Sequence, residues 1–511
     1  MARASGFSRE VRERALRMVF EPGGGYGSPW EVGRPSDAGS RRARRKSRTG
    51  AMQDRARRGA EFDVIVVGAG PGGATTAYYL AKAGAELTPR VALLEKEHFP
   101  RDKFCGDAWC APALEILEDM GVLQDLEAAG LVRDARAGGF ISPSGECFVS
   151  SGQEASATGT RVYAIKRIIC DERIARAAQK AGAELFEGAN VTAAELGEDG
   201  FWRVRTGDGA LFRSRALVAA DGAPSKLARR LGVVTEAPTG FAGRQYIKGG
   251  THNFRADGVL FYPTYILPGY VALFRHYNDD IDLGSYVIPG GAATGKDLPH
   301  IYEERIRRDP LIRAVLGPRV EYLEPLRLAP LRLGGVERSY ARQLLVVGDA
   351  AGQTDPLTGE GIHTAMIAGR IAAETLREML TSGDLSEPAC ARYHERCRRA
   401  FGREFPASAM AARLTYRVPA MLDAASVVAQ RRGDAFMEQF GAAMTGVAPK
   451  TTFLKPSVAL PLTAALIRQL LRGSGGAEER YRRCLDADPS RETSFRNACL
   501  RDREPAAAAP R

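Results

Sequence analysis

One glycine-rich stretch, residues 63–73 (DVIVVGAGPGG), constrains the fold more than any other part of the chain. Residues 64–67 are β-branched, and such a run predicts a buried parallel strand. The glycines follow in a G-x-G-x-x-G pattern, and Pro71 suits the first turn of a helix. The stretch therefore predicts the strand–turn–helix unit of an α/β domain that binds a dinucleotide.

Each glycine of this pattern has its own role. Gly68 permits the tight turn, Gly70 lets the backbone approach a pyrophosphate, and Gly73 lets the helix pack closely on the strand. The first N–H groups of a helix that begins near Pro71 would then face the phosphates.

A second strand, residues 91–94, ends at an acidic residue. We expect the carboxylate of Glu95 to accept hydrogen bonds from ribose hydroxyls, and we place Lys96 in the same cofactor site. The separation from Gly68 is longer than the roughly 20 positions typical of this motif. We assign the excess to the proline-containing loop at residues 86–90.

Two later segments repeat the same strand-to-turn pattern. Residues 216–222 (ALVAADG) end in Asp221 and Gly222 and precede a basic helix, and residues 344–352 (LLVVGDAAG) contain Gly348 and Asp349. Asp349 is suited to bind a sugar-like ribityl chain. The fixed order of the three segments predicts one FAD held at both ends by a single polypeptide.

The third segment continues into residues 355–362 (DPLTGEGI), where a helix is predicted to start near Gly359. Gly359 and Gly361 would let the backbone approach a flat ring, with the positive end of the helix dipole aimed at it. Pro356 and Ile362 complete the predicted cofactor site.

These segments resemble the FAD-binding set of the para-hydroxybenzoate-hydroxylase-type flavoproteins over roughly residues 60–400. Residues 100–107 (PRDKFCGD) are similar to the P-x-x-x-x-C-G-G motif of the geranylgeranyl reductase family. The resemblance implies that Cys105 and Gly106 lie near the flavin ring and that Arg167 lies near the FAD pyrophosphate. Members of this family saturate isolated double bonds in polyprenyl chains.

The family's substrate motif is matched only in part. The motif is Y-x-W-x-F-P, a spacer, and then G-x-G, and the resemblance assigns substrate contacts to Tyr270, Phe274, Arg275 and Gly284. Ala272 stands in place of the tryptophan, and Arg275 in place of the proline. Tyr286 replaces the last glycine, so the substrate is expected to differ from a geranylgeranyl chain.

We therefore expect an FAD-dependent reductase of C=C bonds in an isoprenoid or lipid-like small molecule. The alternative is an FAD-dependent monooxygenase that hydroxylates or epoxidises an apolar substrate, because it would share the three FAD segments. No second nucleotide fingerprint is present, so the electron donor is left open among NAD(P)H, ferredoxin and a reduced deazaflavin.

The composition of the chain limits the kinds of partner and cofactor that we expect it to bind. Residues 1–51 carry 12 lysines and arginines against five acids, so most of the formal net charge of +11 lies outside the predicted enzyme and indicates no nucleic-acid partner. The eight cysteines are scattered without metal-ligand spacing, so we expect reduced thiols, no metal centre and a cytoplasmic protein. Residues 452–472 are apolar with basic flanks and predict either a buried helix pair or a peripheral membrane contact.

The predicted organisation is α/β, with a Rossmann-like FAD domain, an interleaved β-sheet substrate domain and C-terminal helices. Residues 8–30 resemble the opening helix of an insertion-sequence transposase protein, so residues 1–51 are interpreted as a disordered, mis-annotated or mobile-element extension. A transit peptide and a basic membrane tether are the competing interpretations. The predicted boundaries are 60–115, 160–230 and 336–385 for the FAD domain, 116–159 and 231–335 for the substrate domain, 386–475 for the helices and 476–511 for a flexible tail.

Overall fold

The computed structural model describes residues 60–82, 88–135, 138–149, 161–248, 257–288, 294–316, 320–444 and 447–472. The predictions for residues 1–51 and 476–511 lie outside these ranges. The strands within the described residues are, in chain order, β1 (Ala60–Val67), β2 (Val91–Glu95), β3 (Ala108–Cys110), β4 (Arg133–Asp134), β5 (Gly138–Ile141), β6 (Cys147–Val149), β7 (Val162–Ala164), β8 (Glu184–Glu187), β9 (Val191–Leu196), β10 (Trp202–Thr206), β11 (Leu211–Ala219), β12 (Gly240–Lys248), β13 (Gly258–Phe261), β14 (Gly269–Arg275), β15 (Ile281–Val287), β16 (Glu321–Tyr322), β17 (Arg327–Leu331), β18 (Tyr340–Ala341) and β19 (Leu344–Val346).

The α-helices of the same residues include several short ones and a C-terminal series. They are α1 (Pro71–Ala81), α2 (Ala111–Asp119), α3 (Val122–Ala128), α4 (Arg167–Ala181), α5 (Lys226–Arg230), α6 (Leu298–Ile301), α7 (Pro310–Leu316), α8 (Ile362–Ser382), α9 (Glu387–Cys397), α10 (Glu404–Arg417), α11 (Ala420–Arg432), α12 (Asp434–Met444) and α13 (Pro456–Arg472). Single π or 3₁₀ turns occupy Tyr302–Ile306, Gly348–Ala351, Arg398–Gly402 and Lys450–Leu454.

A mostly parallel sheet positions the three glycine segments. Its strand order is β18-β19-β11-β1-β2-β8, and β1 pairs in parallel with both β11 and β2. All three glycine segments therefore leave the sheet at its carboxyl edge, where α/β proteins bind their ligands. Helix α1 packs against α8 and α4 beside this sheet. The α/β fold class and the strand–turn–helix unit at residues 63–73 are confirmed.

A second, largely antiparallel sheet has the order β16-β12-β15-β14-β13-β5-β6. Side chains of a strand alternate between the two faces of a sheet. On one face Val271 and Leu273 pack with Leu298 and Tyr302, around the short helices after β15. On the other face aromatic side chains of β5 and of the segment after β13 pack with the C-terminal helices α10 and α11.

Two local expectations require correction. Residues 108–132 are predicted to be helical after the Cys-Gly turn, but Ala108–Cys110 pairs as β3 with β7 before α2 begins. The helix expected near Gly359 begins instead at Ile362, because Gly359 has a φ of +71° and cannot belong to a right-handed helix. The predicted division into FAD, substrate and helical domains stays a prediction.

Candidate functional site

At two of the three glycines of the first turn, neighbouring protein atoms leave no room for a side chain, whereas the third has open space beside it. Gly68 has a φ of +103°, and a Cβ there would lie 2.3 Å from the carbonyl oxygen of Ala220. A Cβ at Gly73 would lie 2.0 Å from the carbonyl oxygen of Gly68. Gly70, in contrast, has ordinary extended backbone, and a Cβ there would meet no protein atom within 4 Å. The turn thus leaves open space where the sequence predicts a pyrophosphate.

Pro71 is the first residue of α1, and no side chain caps this helix at Gly70. Its N-terminal N–H groups are therefore available to an anion. Glu95 ends β2, with Oε2 accepting a hydrogen bond from the backbone N–H of Ala69 at 3.1 Å. Arg101 lies 3.2 Å from the same oxygen. The carboxylate thereby fixes the glycine turn to β2, a role that the sequence interpretation did not assign to it.

Lys96 is exposed and lies 3.8 Å from Glu97 at the surface. It does not share the buried contacts of Glu95, so its predicted cofactor role gains no support from a contact with the rest of the site.

The second segment is organised by its acid. Asp221 accepts hydrogen bonds from the hydroxyl of Ser225 and from the backbone N–H of Leu227, both at 2.9 Å, and so holds the start of α5. Burial raises the pKa of Asp221. Gly222 follows with a φ of +79°, which lets the chain reverse here without strain.

A lysine that the sequence interpretation missed links the second and third segments. Lys103 donates to Asp349 at 2.9 Å, and its Nζ lies 4.0 Å from the Cβ position of Gly222. Burial acts to raise the pKa of Asp349, but the ammonium of Lys103 outweighs it and the pKa is lowered. Gly348, with a φ of +72°, makes the turn before this acid. Asp349 is thus ionised and held at the edge of the parallel sheet.

Tyrosine side chains of the second sheet contact the loop from Pro356 to Gly361 and hold it in place. The hydroxyl of Tyr286 donates to the carbonyl of Pro356 at 3.0 Å, and a Cβ at Gly359 would lie 2.9 Å from the ring of Tyr286. Gly361 precedes Ile362, the first residue of α8, and offers no capping side chain. The N-terminus of α8 therefore keeps free N–H groups beside this loop.

The Cys-Gly turn lies between these segments. Burial raises the pKa of the Cys105 thiol, although the neighbouring Arg167 opposes this shift. A Cβ at Gly106 would meet nothing within 4 Å. Arg167 is buried at the start of α4 and donates through Nε to Asp171 at 2.6 Å. The structure thus brings Cys105 and Arg167 together, and their roles toward the cofactor stay predictions.

An ion cluster centred on Asp171 lies near this turn. Asp171 pairs with Arg167 on its own helix and with Arg101, which also contacts Glu95. Burial acts to raise the pKa of Asp171, but the two guanidinium groups reverse this and lower it. No local pattern predicts this link, because Arg101 and Asp171 are 70 positions apart.

The four predicted substrate residues do not all lie together. Tyr270 donates its hydroxyl to the carbonyl of Thr358, which places it against the Gly359 loop. Tyr270 and Phe274 share one face of β14, and Gly284 lies on that face of β15, opposite Ala272. Arg275 belongs to the other face and pairs with Asp279 at 2.8 Å.

Around this loop the structure adds Glu360, which sequence reasoning missed. Glu360 is largely buried, and desolvation raises its pKa to about 7, with Asp355 adding to the rise and Lys450 opposing it. His363 lies 3.9 Å from this carboxylate, and burial lowers its pKa to about 4. Their position in the G-E-G-I-H stretch was visible in the sequence, but their burial depends on the C-terminal helices.

Comparisons with known proteins agree with this geometry. An FAD-binding-domain family model matches residues 61–255. Conditioned medium factor receptor 1 of Dictyostelium discoideum is 43% identical over 78% of this chain and 79% of its own length. Digeranylgeranylglycerophospholipid reductase 1 of Methanopyrus kandleri is 32% identical over 66% of this chain and 86% of its own.

Among solved structures, a geranylgeranyl bacteriochlorophyll reductase-like protein of Thermoplasma acidophilum superposes with a TM-score of 0.61. It is 22% identical and covers 72% of this chain and 91% of its own, a likeness that concerns the fold. The glycine turns leave open backbone where FAD would lie, and the relatives include named reductases of an isoprenoid lipid. The chain therefore belongs to the geranylgeranyl reductase family of FAD-dependent oxidoreductases.

Proposed function

We propose that this oxidoreductase reduces C=C bonds in the isoprenoid part of a lipid-like molecule. The observation that carries the proposal is an aromatic and apolar cluster that adjoins the loop at Gly359. Tyr262, Tyr416 and Leu357 are buried in this cluster, and the hydroxyl of Tyr416 donates to the carbonyl of Leu357 at 2.7 Å. An apolar wall of this kind suits a hydrocarbon chain and excludes water.

The glycine turns and Asp349 would hold FAD, which, when bound and reduced, would supply a hydride for one carbon of the double bond. The protein must then provide a proton for the other carbon. Glu360 suits this role, since its raised pKa of about 7 keeps a proton available near neutral pH. Tyr270 lies between the Gly359 loop and the sheet and would orient the chain. The predicted roles of Cys105, Gly106 and Phe274 remain part of this proposal.

The reaction can be tested without oxygen. Flavin in the purified protein is reduced with dithionite under anaerobic conditions, and geranylgeranyl lipids or a menaquinone are added. A mass gain of about 2 Da for each saturated bond supports the proposal, because hydride and proton add two hydrogens. A product about 16 Da heavier that forms only in air would instead show a monooxygenase.

The substrate would be met at a membrane surface, and the outer face of α13 suits such a contact. Leu460, Ile467 and Leu471 follow one another along this face and are 69%, 55% and 83% exposed. Residues 447–472 contain no acid, whereas Lys455 and Arg468 are exposed cations. An apolar stripe with basic flanks fits the surface of an anionic bilayer.

This face would lie on the bilayer and not cross it. No helix among the described residues combines the length and the apolar character that a membrane span requires. A triple change of Leu460, Ile467 and Leu471 to serine should abolish sedimentation with phosphatidylglycerol vesicles. Leu211→Ser, at an exposed leucine of β11, is the matched control and should sediment as the native chain does. Equal binding by both variants would refute the assignment.

A further inference from the structure

A buried polar cluster lies where the Cys-Gly turn meets the second sheet. Asp107 follows Cys105 and Gly106, His276 follows β14, and Asp282 belongs to β15. All three side chains are fully buried. One nitrogen or oxygen from each lies within 4.8 Å of the others. The cluster thus joins three segments that are far apart in the sequence.

Several atoms of this cluster are without a hydrogen-bond partner among the described residues. They are both ring nitrogens of His276 and both carboxylate oxygens of Asp282. Burying such groups unpaired costs roughly 1–3 kcal/mol each, and more when they are charged. Something beyond these side chains must therefore satisfy them.

The separation between two of the residues favours a metal ion over a direct hydrogen bond. His276 Nε2 lies 3.5 Å from Asp107 Oδ2. This is longer than the usual 2.7–3.2 Å of such a hydrogen bond. Two atoms that bind one tetrahedral Zn²⁺, each at about 2.0–2.1 Å, lie about 3.4 Å apart.

The carboxylates of this region outnumber the guanidinium groups beside them. Arg244 is buried and contacts both Asp102 and Glu324, and Arg327 contacts the same two acids. Arg244 also lies 4.0 Å from Asp107, whereas no ion pair is formed by Asp282 among the described residues. Two guanidinium groups thus face four carboxylates, and with all four ionised the surplus of two negative charges equals the charge of one divalent cation.

The other neighbouring cation is also occupied. Lys166 forms a buried ion pair with Asp280 and so offers no charge to spare.

Asp107 is held in a costly conformation that presents its carboxylate to the cluster. Its φ of +56° lies in the left-handed region, which costs roughly 1–2 kcal/mol for a residue other than glycine. Tyr246 donates its hydroxyl to Oδ2, and the backbone N–H of Arg167 donates to Oδ1 at 3.3 Å. Such outer contacts are typical of carboxylates that bind metals.

We propose that Asp107, His276 and Asp282 bind one divalent first-row metal ion, for which Zn²⁺ is the probe. One imidazole nitrogen and two carboxylate oxygens are ligands that these ions accept. All three ligands are fully buried, and we therefore assign the ion a structural role. The ion would fasten the turn that carries Cys105 to β14 and β15, which carry the proposed substrate wall. Sequence spacing could not reveal it, since the ligands are separated by up to 175 positions.

Metal content gives the first test. The full chain is purified without a metal-affinity tag and analysed by inductively coupled plasma mass spectrometry. We expect about one metal ion per chain, and its loss in His276→Ala and Asp282→Asn. Asp279→Asn, a change at an exposed acid on the same turn, should keep the metal.

Thermal unfolding gives the second test. Dialysis against a chelator should lower the Tm of the native chain, and Zn²⁺ should restore it there and in Asp279→Asn but not in His276→Ala. A native chain that contains no stoichiometric metal and gains no stability from Zn²⁺ would overturn the proposal.

Discussion

Replacing Gly70 should separate cofactor binding from folding. Its φ of −74° and ψ of −178° are open to any residue, and the added Cβ of Gly70→Ala meets no protein atom within 4 Å. The loss of backbone entropy in the unfolded chain favours alanine by about 0.4–1 kcal/mol, while alanine is a poorer helix N-cap by a similar amount. We therefore expect the FAD-free variant to unfold within about 1 kcal/mol of the FAD-free native chain.

The cost should appear in FAD affinity. A methyl group directed at the pyrophosphate acts like overpacking, which costs about 1–3 kcal/mol. At 1.4 kcal/mol for each tenfold change, the Kd for FAD should rise about 5- to 150-fold in Gly70→Ala, and further in Gly70→Val. Quenching of flavin fluorescence during titration of the FAD-free protein measures the Kd. Urea unfolding of the same sample measures stability.

Gly73→Ala is the contrasting variant. Its Cβ would lie 2.0 Å from the carbonyl oxygen of Gly68, so the helix and strand must move apart and stability should fall even without FAD. An unchanged Kd in Gly70→Val would refute the placement of the pyrophosphate at this turn. A Gly70→Ala chain that unfolds like Gly73→Ala would show that the position serves folding.

Three further changes test other parts of the site. The pKa of Glu360 is raised to about 7, so native stability should fall as the pH rises from about 4.5 to 7, because the unfolded state ionises first. Glu360→Gln should flatten this part of the pH profile of urea unfolding. The expected change is about 2 kcal/mol, allowing for 28% exposure of the side chain. Asp171→Asn leaves the buried Arg167 without its carboxylate and leaves Arg101 with Glu95 alone, so urea unfolding should show a loss of about 3–5 kcal/mol. A loss smaller than about 1 kcal/mol would contradict the buried pairing. A chain that begins at Met52 should match the full chain in flavin content and Tm, and a clear drop in Tm would show that residues 1–51 pack on the fold.

The flavin end of the site was predictable because its signals are local. A β-branched run, three glycines and Pro71 specify strand, turn and helix within eleven residues, and α1 begins where proline suits the first turn. The start of α8 was placed too early for a reason that is also local. The helix was predicted to start near Gly359, whereas the positive φ of Gly359 keeps this residue in the loop, and the helix begins only at Ile362.

Contacts between distant segments were not predictable from one sequence. Glu95 was predicted to bind a ribose, yet its carboxylate accepts a hydrogen bond from the backbone N–H of Ala69 and forms an ion pair with Arg101. Lys103 and Asp349 are 246 positions apart and meet because the segment before the Cys-Gly turn lies at the carboxyl edge of the parallel sheet, beside Asp349. Periodicity and spacing describe neighbours along the chain, so pairs of this kind require the fold.

The proposed substrate residues on β14 and β15 show how strand register determines which residues of a sequence motif lie side by side. The family's pattern has tryptophan where this chain has Ala272, and glycine where it has Tyr286. On one face of the sheet, Ala272 lies opposite Gly284 and Tyr270 lies opposite Tyr286. The chain therefore carries on β15 an aromatic ring that the pattern carries on β14. Two small residues are left side by side in the middle of an aromatic face, so the two departures compensate each other. Under the proposed function, a hydrocarbon chain would follow a path of a different shape, while the proposed chemistry at the flavin would be the same.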